Sequence, residues 1–90
     1  MILIRHAIGS RLFYQTENFD VQQKGNQWMI SISIPEEQAE QIRKFKDELN
    51  YFVVGENQKT WYYSSNAEIE YQDKENKLVV LADHKTVYPV

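Results

Sequence analysis

Hydrophobic and polar positions alternate along residues 28–34, where Trp28 and every second residue after it is apolar. Alternation of period two is typical of a strand with one buried and one solvated face. Residues 19–21 show the same pattern, and Lys24-Gly25-Asn26 between the two segments supplies residues that accept positive φ at little cost. The pattern therefore predicts a β-hairpin over residues 19–34.

The periodicity becomes helical at Pro35, a residue that is favourable at the start of a helix because its missing N–H has no partner there. Glu36 and Glu37 complement the positive end of that helix. An apolar stripe recurs at spacings of three and four residues, and its members are Ala39, Ile42, Phe45 and Leu49. The spacing predicts one helix over residues 35–49, capped by Asn50 in the left-handed conformation.

Shorter apolar or alternating segments before and after this helix predict further strands. They lie at residues 2–8 (with 11–15 as an additional candidate), 51–54, 60–64, 67–72 and 77–83. Residues 86–90 form an edge strand at best, because Pro89 cannot donate to a ladder. A short amphipathic helix from residue 4 to residue 14 fits the first segments nearly as well. The predicted order is βββαββββ.

These elements indicate one α+β domain over residues 1–90, since a chain of this length has room for a single core. We expect a mainly antiparallel sheet of five to seven strands with the helix packed on one face. Closure of that sheet into a small barrel is the alternative, and it would explain the strands that are apolar on both faces.

The polar turn at residues 73–76 sets the register of the strands on either side of it. Tyr71 is expected opposite Leu78, and Ile69 opposite Val80. The face away from the main core then mixes acidic and apolar side chains, namely Glu68, Glu70, Val79 and Leu81. A monomer's solvated face would be expected to carry polar residues, so this mixture indicates that another segment or a partner covers it.

The aromatic segment around Trp61 has two possible registers against residues 67–72. A three-residue turn pairs Tyr63 with Ala67, buries Trp61 and Tyr63, and leaves Tyr62 on the outer face. A two- or four-residue turn reverses the two faces. We favour the first register because it buries two large aromatic side chains beside Ile69.

Composition narrows the function further. The net charge is −3 and the basic residues are scattered, which argues against nucleic acid as a ligand. The chain has no cysteine, which favours a reducing compartment and makes the cytoplasm the default location. Its apolar runs fall far below the roughly 18 residues that cross a membrane. Lysine is commoner than arginine, an association seen with AT-rich bacterial or phage genomes.

No catalytic motif is recognisable, and no cofactor or metal is expected. His84 lies beside Asp83, but neighbouring strand residues point to opposite faces, so a metal site or a serine triad there is not expected. Glu68 and Glu70 have Cα atoms about 6.7 Å apart on one strand face, a spacing compatible with glycosidases. A sugar hydrolase also needs a cleft and an apolar setting for one carboxyl, so the solvated interpretation is favoured.

These observations predict a non-enzymatic protein-interaction module that binds a protein partner or its own copies, of the kind seen in phage or bacterial accessory proteins. The predicted contact residues are Tyr62, Glu68, Glu70, Val79 and Leu81. The alternative is a small ligand-binding domain that stacks sugars or bases on the aromatic strand 60–64. Whether Trp61 and Tyr63 are exposed and line a concavity distinguishes the two.

Overall fold

The computed structural model describes residues 1–65 and 68–89, which form two antiparallel sheets and one α-helix. In chain order the elements are β1 (Ile2–His6), β2 (Leu12–Thr16), β3 (Phe19–Lys24), β4 (Gln27–Ser33), α1 (Glu36–Arg43), a 3-10 turn (Lys46–Glu48), β5 (Leu49–Val54), β6 (Gln58–Tyr63), β7 (Glu68–Gln72), β8 (Lys77–Ala82) and β9 (His84–Pro89). The predicted α+β class, mainly antiparallel with one helix, is confirmed.

The strands form two sheets instead of one sheet of five to seven strands, and within the described residues they do not close into a barrel. One sheet has the order β2-β1-β5-β6-β9 and the other β3-β4-β8-β7. The chain passes between the sheets four times, so several strands that are neighbours in sequence do not pair. The observed order is ββββαβββββ, because the additional candidate at residues 11–15 forms a strand, shifted by one residue to Leu12–Thr16, and residues 84–89 form a ninth.

Two predicted hairpins are confirmed, and the register predicted for the second is confirmed residue by residue. In the β3–β4 hairpin Phe19 pairs with Ile32, and Gly25 has a φ of 63° in the turn. In the β7–β8 hairpin Tyr71 pairs with Leu78 and Ile69 with Val80. Both registers follow from a short local turn, which fixes the strands on either side of it. The alternative helix over residues 4–14 does not form, because β1 and β2 pair with each other there.

The inner faces of the two sheets pack against each other to form a single core. Its largest fully buried side chains come from both sheets and from the helix, and are Ile2, Ile4, Ile30, Ile32, Ile42, Leu78 and Val80. Each contributes about 1.5–3 kcal/mol by leaving water. The helix contacts β2 and β7, one edge strand of each sheet, so it closes one open side of the sandwich.

The helix is shorter than predicted. It ends at Arg43, and Phe45 has left the helical conformation with a φ of −112° and a ψ of 27°. Ala39 and Ile42 are buried as expected, but Leu49 is buried as the first residue of β5, where it pairs with His6. Asn50 is a strand residue and not a helix cap. Pairing with β1 therefore outweighs the helical spacing of the last apolar residues.

The edge strands differ in what protects them. Helix α1 contacts β2 and β7, whereas β9 lies at the far edge of the five-stranded sheet with every residue exposed. The predicted edge position of residues 86–90 is confirmed for the part that the structure describes. Ala67 and Val90, predicted as strand residues, lie outside the described residues. No helix within residues 1–65 and 68–89 has the length and the hydropathy that crossing a membrane requires.

Candidate interaction surfaces

The outer face of the five-stranded sheet carries a row of aromatic side chains, which we call the aromatic face. Its members are Phe52, Trp61, Tyr63, His84 and Tyr88. Register builds this row: Phe52 of β5 pairs with Trp61 of β6, and Tyr63 of β6 pairs with His84 of β9. No described element forms a layer over this face.

Four rings of this row, those of Phe52, Trp61, Tyr63 and His84, are stacked in succession. Tyr63 and His84 have ring centroids 4.3 Å apart and planes within 9° of parallel. Trp61 and Tyr63 are 4.8 Å apart at 29°, and Phe52 and Trp61 are 6.4 Å apart at 20°. Two rings lying flat and side by side on a sheet could not bring their centroids so close. The closest rings therefore stand up from the sheet, cover one another's faces and turn their edges outward.

Polar groups on the aromatic face hold the row in place. The Trp61 Nε1–H donates to the Asn50 side-chain oxygen at 2.9 Å, so the indole donor is satisfied without solvent. The Lys59 ammonium lies 4.4 Å from the centroid of the Phe52 ring, a cation–π contact. An open cleft of about 520 Å³ lies here and is lined by Asn50, Phe52, Lys59, Trp61, Tyr88 and Pro89.

The favoured register of the aromatic strand is wrong. Tyr62 is the buried residue, only 6% exposed, and its ring packs 6.1 Å from that of Trp28 in the core. Burial raises the pKa of its phenol. Trp61 and Tyr63 lie on the outer face instead. The physical reason is that β6 pairs with β5 and β9 and not with β7. The length of the turn after β6 therefore does not determine which of its residues face the core.

The outer face of the four-stranded sheet is the surface predicted from the sequence, and we call it the acidic–apolar face. Glu68 pairs with Leu81 and Glu70 with Val79, so these four side chains share one face as predicted. Tyr62 does not join them, since it is buried in the core. Met29, which pairs with Leu81, was not predicted as a member. Strand alternation already predicts an outward position for Met29, because its neighbours Trp28 and Ile30 face inward.

A shallow cleft of about 500 Å³ crosses the acidic–apolar face. Met29, Val79 and Leu81 line its floor, and Glu68 and Glu70 stand along β7. Lys46, from the 3-10 turn, lies at its margin. The face therefore presents half-buried apolar side chains beside two exposed carboxylates, and β7 is the edge strand that carries them.

A polar cluster of three side chains lies at the connection between β8 and β9, and its members are Ser65, Asp83 and His84. The prediction that Asp83 and His84 point apart is wrong, because Asp83 lies between two strands and strand alternation does not apply to it. Its carboxylate contacts His84 Nδ1 at 2.6 Å and accepts hydrogen bonds from the Ser65 backbone N–H and hydroxyl. The Ser65 hydrogen bonds lower the pKa of Asp83 to about 2.

This cluster is not arranged for nucleophilic catalysis. A serine nucleophile needs the imidazole beside its hydroxyl as a base, whereas here the carboxylate lies between Ser65 and His84. The His84 ring is instead stacked on Tyr63. His6 has an equally structural setting, in a three-ring cluster with Phe13 and Phe45 and 3.3 Å from a Glu48 oxygen. Among residues 1–65 and 68–89, no three metal-ligating side chains come together.

Comparison of the chain with protein-family models, curated proteins and solved structures finds no match to any of them.

Proposed function

We propose that this domain is a non-enzymatic protein-interaction module and that the aromatic face is its principal docking surface. The observation that carries the proposal is the uncovered row of Phe52, Trp61, Tyr63, His84 and Tyr88 across three adjacent strands. Tyrosine and tryptophan are enriched at protein interfaces because they bury much area while immobilising few rotatable bonds. A monomer that exposed such a row without using it would risk aggregation.

The acidic–apolar face is a second contact surface in this proposal, through Glu68, Glu70, Val79 and Leu81. Protein interfaces commonly have an apolar centre that loses its water on binding and a polar rim around it. The apolar side chains and bordering carboxylates of this face match that composition. Tyr62 is removed from the contact set because it is buried in the core. Because the absence of cysteine favours a reducing compartment, we propose that the protein acts in the cytoplasm, as a bacterial or phage accessory protein would.

Binding of a small ligand is the second candidate, and one observation favours it. Trp61 lines the cleft of about 520 Å³ with Phe52 and Tyr88, and that volume is within the range of ligand sites. Sugars and bases, however, stack on exposed ring faces, and Trp61 and Tyr63 use theirs on each other. The Asn50 oxygen is also taken by Trp61. The ring geometry thus favours a protein surface that packs against ring edges.

Selection of binders from a displayed random-peptide library tests the proposal without a known partner. Peptides enriched on the wild type should lose at least about tenfold in affinity for Tyr88→Ala, since a rigid aromatic contact is removed. Val87→Ala is the matched control, because Val87 is 47% exposed and Tyr88 42%, and Val87 pairs with the buried Thr60, so it lies on the other side of the same strand. Peptides that bind Tyr88→Ala and the wild type equally would refute the aromatic face as the docking surface.

A panel of oligosaccharides and mononucleotides, titrated against Trp61 fluorescence in a Trp28→Phe background, examines the second candidate. We expect no saturable change at millimolar ligand. Saturable quenching by one sugar or base class, lost in Tyr88→Ala, would establish ligand binding in place of the protein contact.

A further inference from the structure

The two outer faces of the molecule differ in the sign of the charges beside their apolar side chains. Arg5 and Lys59 lie on the aromatic face, through pairing with Asn50 and Val54. At one corner of that row, the carboxylate of Asp83 is held by Ser65 and His84.

Two carboxylates, Glu68 and Glu70, border the apolar part of the opposite face, and Lys46 lies at the margin of the same cleft, so carboxylates outnumber cations beside the apolar side chains. Asp20 lies farther along that face with two lysines, Lys24 and Lys77. The ion pairs formed within residues 1–65 and 68–89 involve neither of these glutamates, and neither Arg5 nor Lys59. Each face therefore presents apolar side chains together with charges that the other face can neutralise.

We propose that copies of this chain associate head to tail, with the aromatic face of one copy seated on the acidic–apolar face of the next. This inference rests on the proposed function, and names the partner of the aromatic face as a second copy of the chain. Lys59 of one copy lies against Glu68 and Glu70 of its neighbour, and the aromatic row packs on Val79 and Leu81. Charge complementarity of this kind sets register and orientation between partners.

The contact is heterologous, because different surfaces of the two copies meet. Each copy in such a pair keeps one unused aromatic face and one unused acidic–apolar face. Association therefore continues by addition of further copies and does not stop at a closed pair, unless the rotation between copies closes a ring.

The size of the faces makes this association weak. The strands of the larger sheet are five or six residues long. Five strands about 4.8 Å apart and roughly 20 Å long offer about 500 Å² of sheet face, but the four strands of the opposite sheet offer only about 400 Å². The smaller face limits the contact, which therefore buries at most roughly 800 Å² in total, the size of a weak or transient interface. We therefore expect a dissociation constant between about 10 μM and 1 mM for each contact.

Charge reversal on each face tests the orientation. Lys59→Glu and Glu70→Lys, both at strand surface positions, should each weaken self-association in sedimentation velocity by about tenfold, since like charges then meet. The double variant Lys59→Glu/Glu70→Lys should recover wild-type association, because the pair is restored with reversed polarity. Failure of the double variant to recover would contradict the direct contact. Circular dichroism and thermal unfolding establish that each variant is folded.

Mixing of two blocked variants tests whether the contact is heterologous. Tyr88→Glu blocks the aromatic face and Leu81→Glu blocks the other, so each should be monomeric alone at concentrations where the wild type associates. An equimolar mixture should form a one-to-one dimer and nothing larger, because only one competent pair of faces remains. A two-fold dimer that survives either variant would refute the proposal.

A wild type that stays monomeric up to about 1 mM would also refute it. The peptide selection tests the proposed docking function separately, because it does not depend on self-association. Loss of peptide binding in Tyr88→Ala together with a monomeric wild type would assign the aromatic face to a different protein.

Discussion

The rings of Tyr63 and His84 stack 4.3 Å apart across neighbouring strands, and a carboxylate oxygen of Asp83 lies 2.6 Å from Nδ1 of His84. This contact joins the end of the aromatic face to the connection between the two sheets. The aromatic row is therefore built by cross-strand register and fixed at one end by a hydrogen-bonded carboxylate.

Asp83 makes the stability of the fold depend on pH in the acid range. Its folded pKa of about 2 lies below the ordinary value of 3.8, because Ser65 donates to the ionised form. A carboxyl whose pKa is depressed by folding stabilises the protein above its unfolded pKa and loses that contribution as the pH falls from about 4 to 2. The stability advantage of the wild type over Asp83→Asn in urea titrations should shrink across this window. A difference that stays constant between pH 5 and pH 2 would contradict the assignment.

The assignment of inner and outer aromatic residues can be checked by matched substitutions in β6. Tyr62→Ala should destabilise by about 3–5 kcal/mol, since it empties a buried aromatic position. Tyr63→Ala removes only surface stacking and should cost roughly 1 kcal/mol. Urea unfolding of the two variants decides between the faces. Equal losses, or a larger loss for Tyr63→Ala, would restore the register in which Tyr62 lies outside.

Neighbouring residues in the helix offer the same kind of comparison. Ile42→Ala should cost about 2–5 kcal/mol because Ile42 is fully buried between the sheets and the helix. Gln41→Ala, at the exposed preceding position, should stay within about 0.5 kcal/mol of the wild type. Thermal or urea unfolding measures both. Similar effects for the two variants would mean that the helix is rotated about its axis.

Nucleic acid is not expected as a ligand. The net charge is −3, and a nucleic-acid surface gains most of its affinity from neutralised phosphates and released counterions. Fluorescence anisotropy with single- and double-stranded oligonucleotides at low salt should show no binding tighter than about 10 μM. Submicromolar binding that weakens steeply with salt would overturn this expectation.

Local turns made part of the fold predictable from the sequence. The turn at residues 73–76 joins β7 and β8 directly, so its length determined that Glu70 shares a face with Val79, as the structure confirms. The apolar alternation in β4 likewise identified the residues of that strand that face the core, because alternation is also a local property of the chain. Both conclusions depend only on residues close together in the chain.

Pairings between distant segments were not predictable in this way. Whether Trp61 faces the core or the outside depends on β5 and β9, which lie on either side of β6 in the sheet. No turn length in the sequence determines that orientation. Leu49 continues the helical spacing of its neighbours, yet pairing with His6 draws it into a strand. The aromatic face was missed because it exists only once three strands are side by side.

The cysteine-free chain allows the central claim to be measured by disulfide trapping. Thr86→Cys lies on the aromatic face and Ser31→Cys on the acidic–apolar face, and Ser10→Cys in the β1–β2 turn serves as a control on neither face. Mild oxidation of an equimolar mixture of Thr86→Cys and Ser31→Cys should yield the mixed disulfide well beyond the proportion that random collision gives. Mixtures containing Ser10→Cys should show only that random proportion. Random proportions for Thr86→Cys with Ser31→Cys as well, or a predominance of disulfides between identical variants, would contradict the head-to-tail contact.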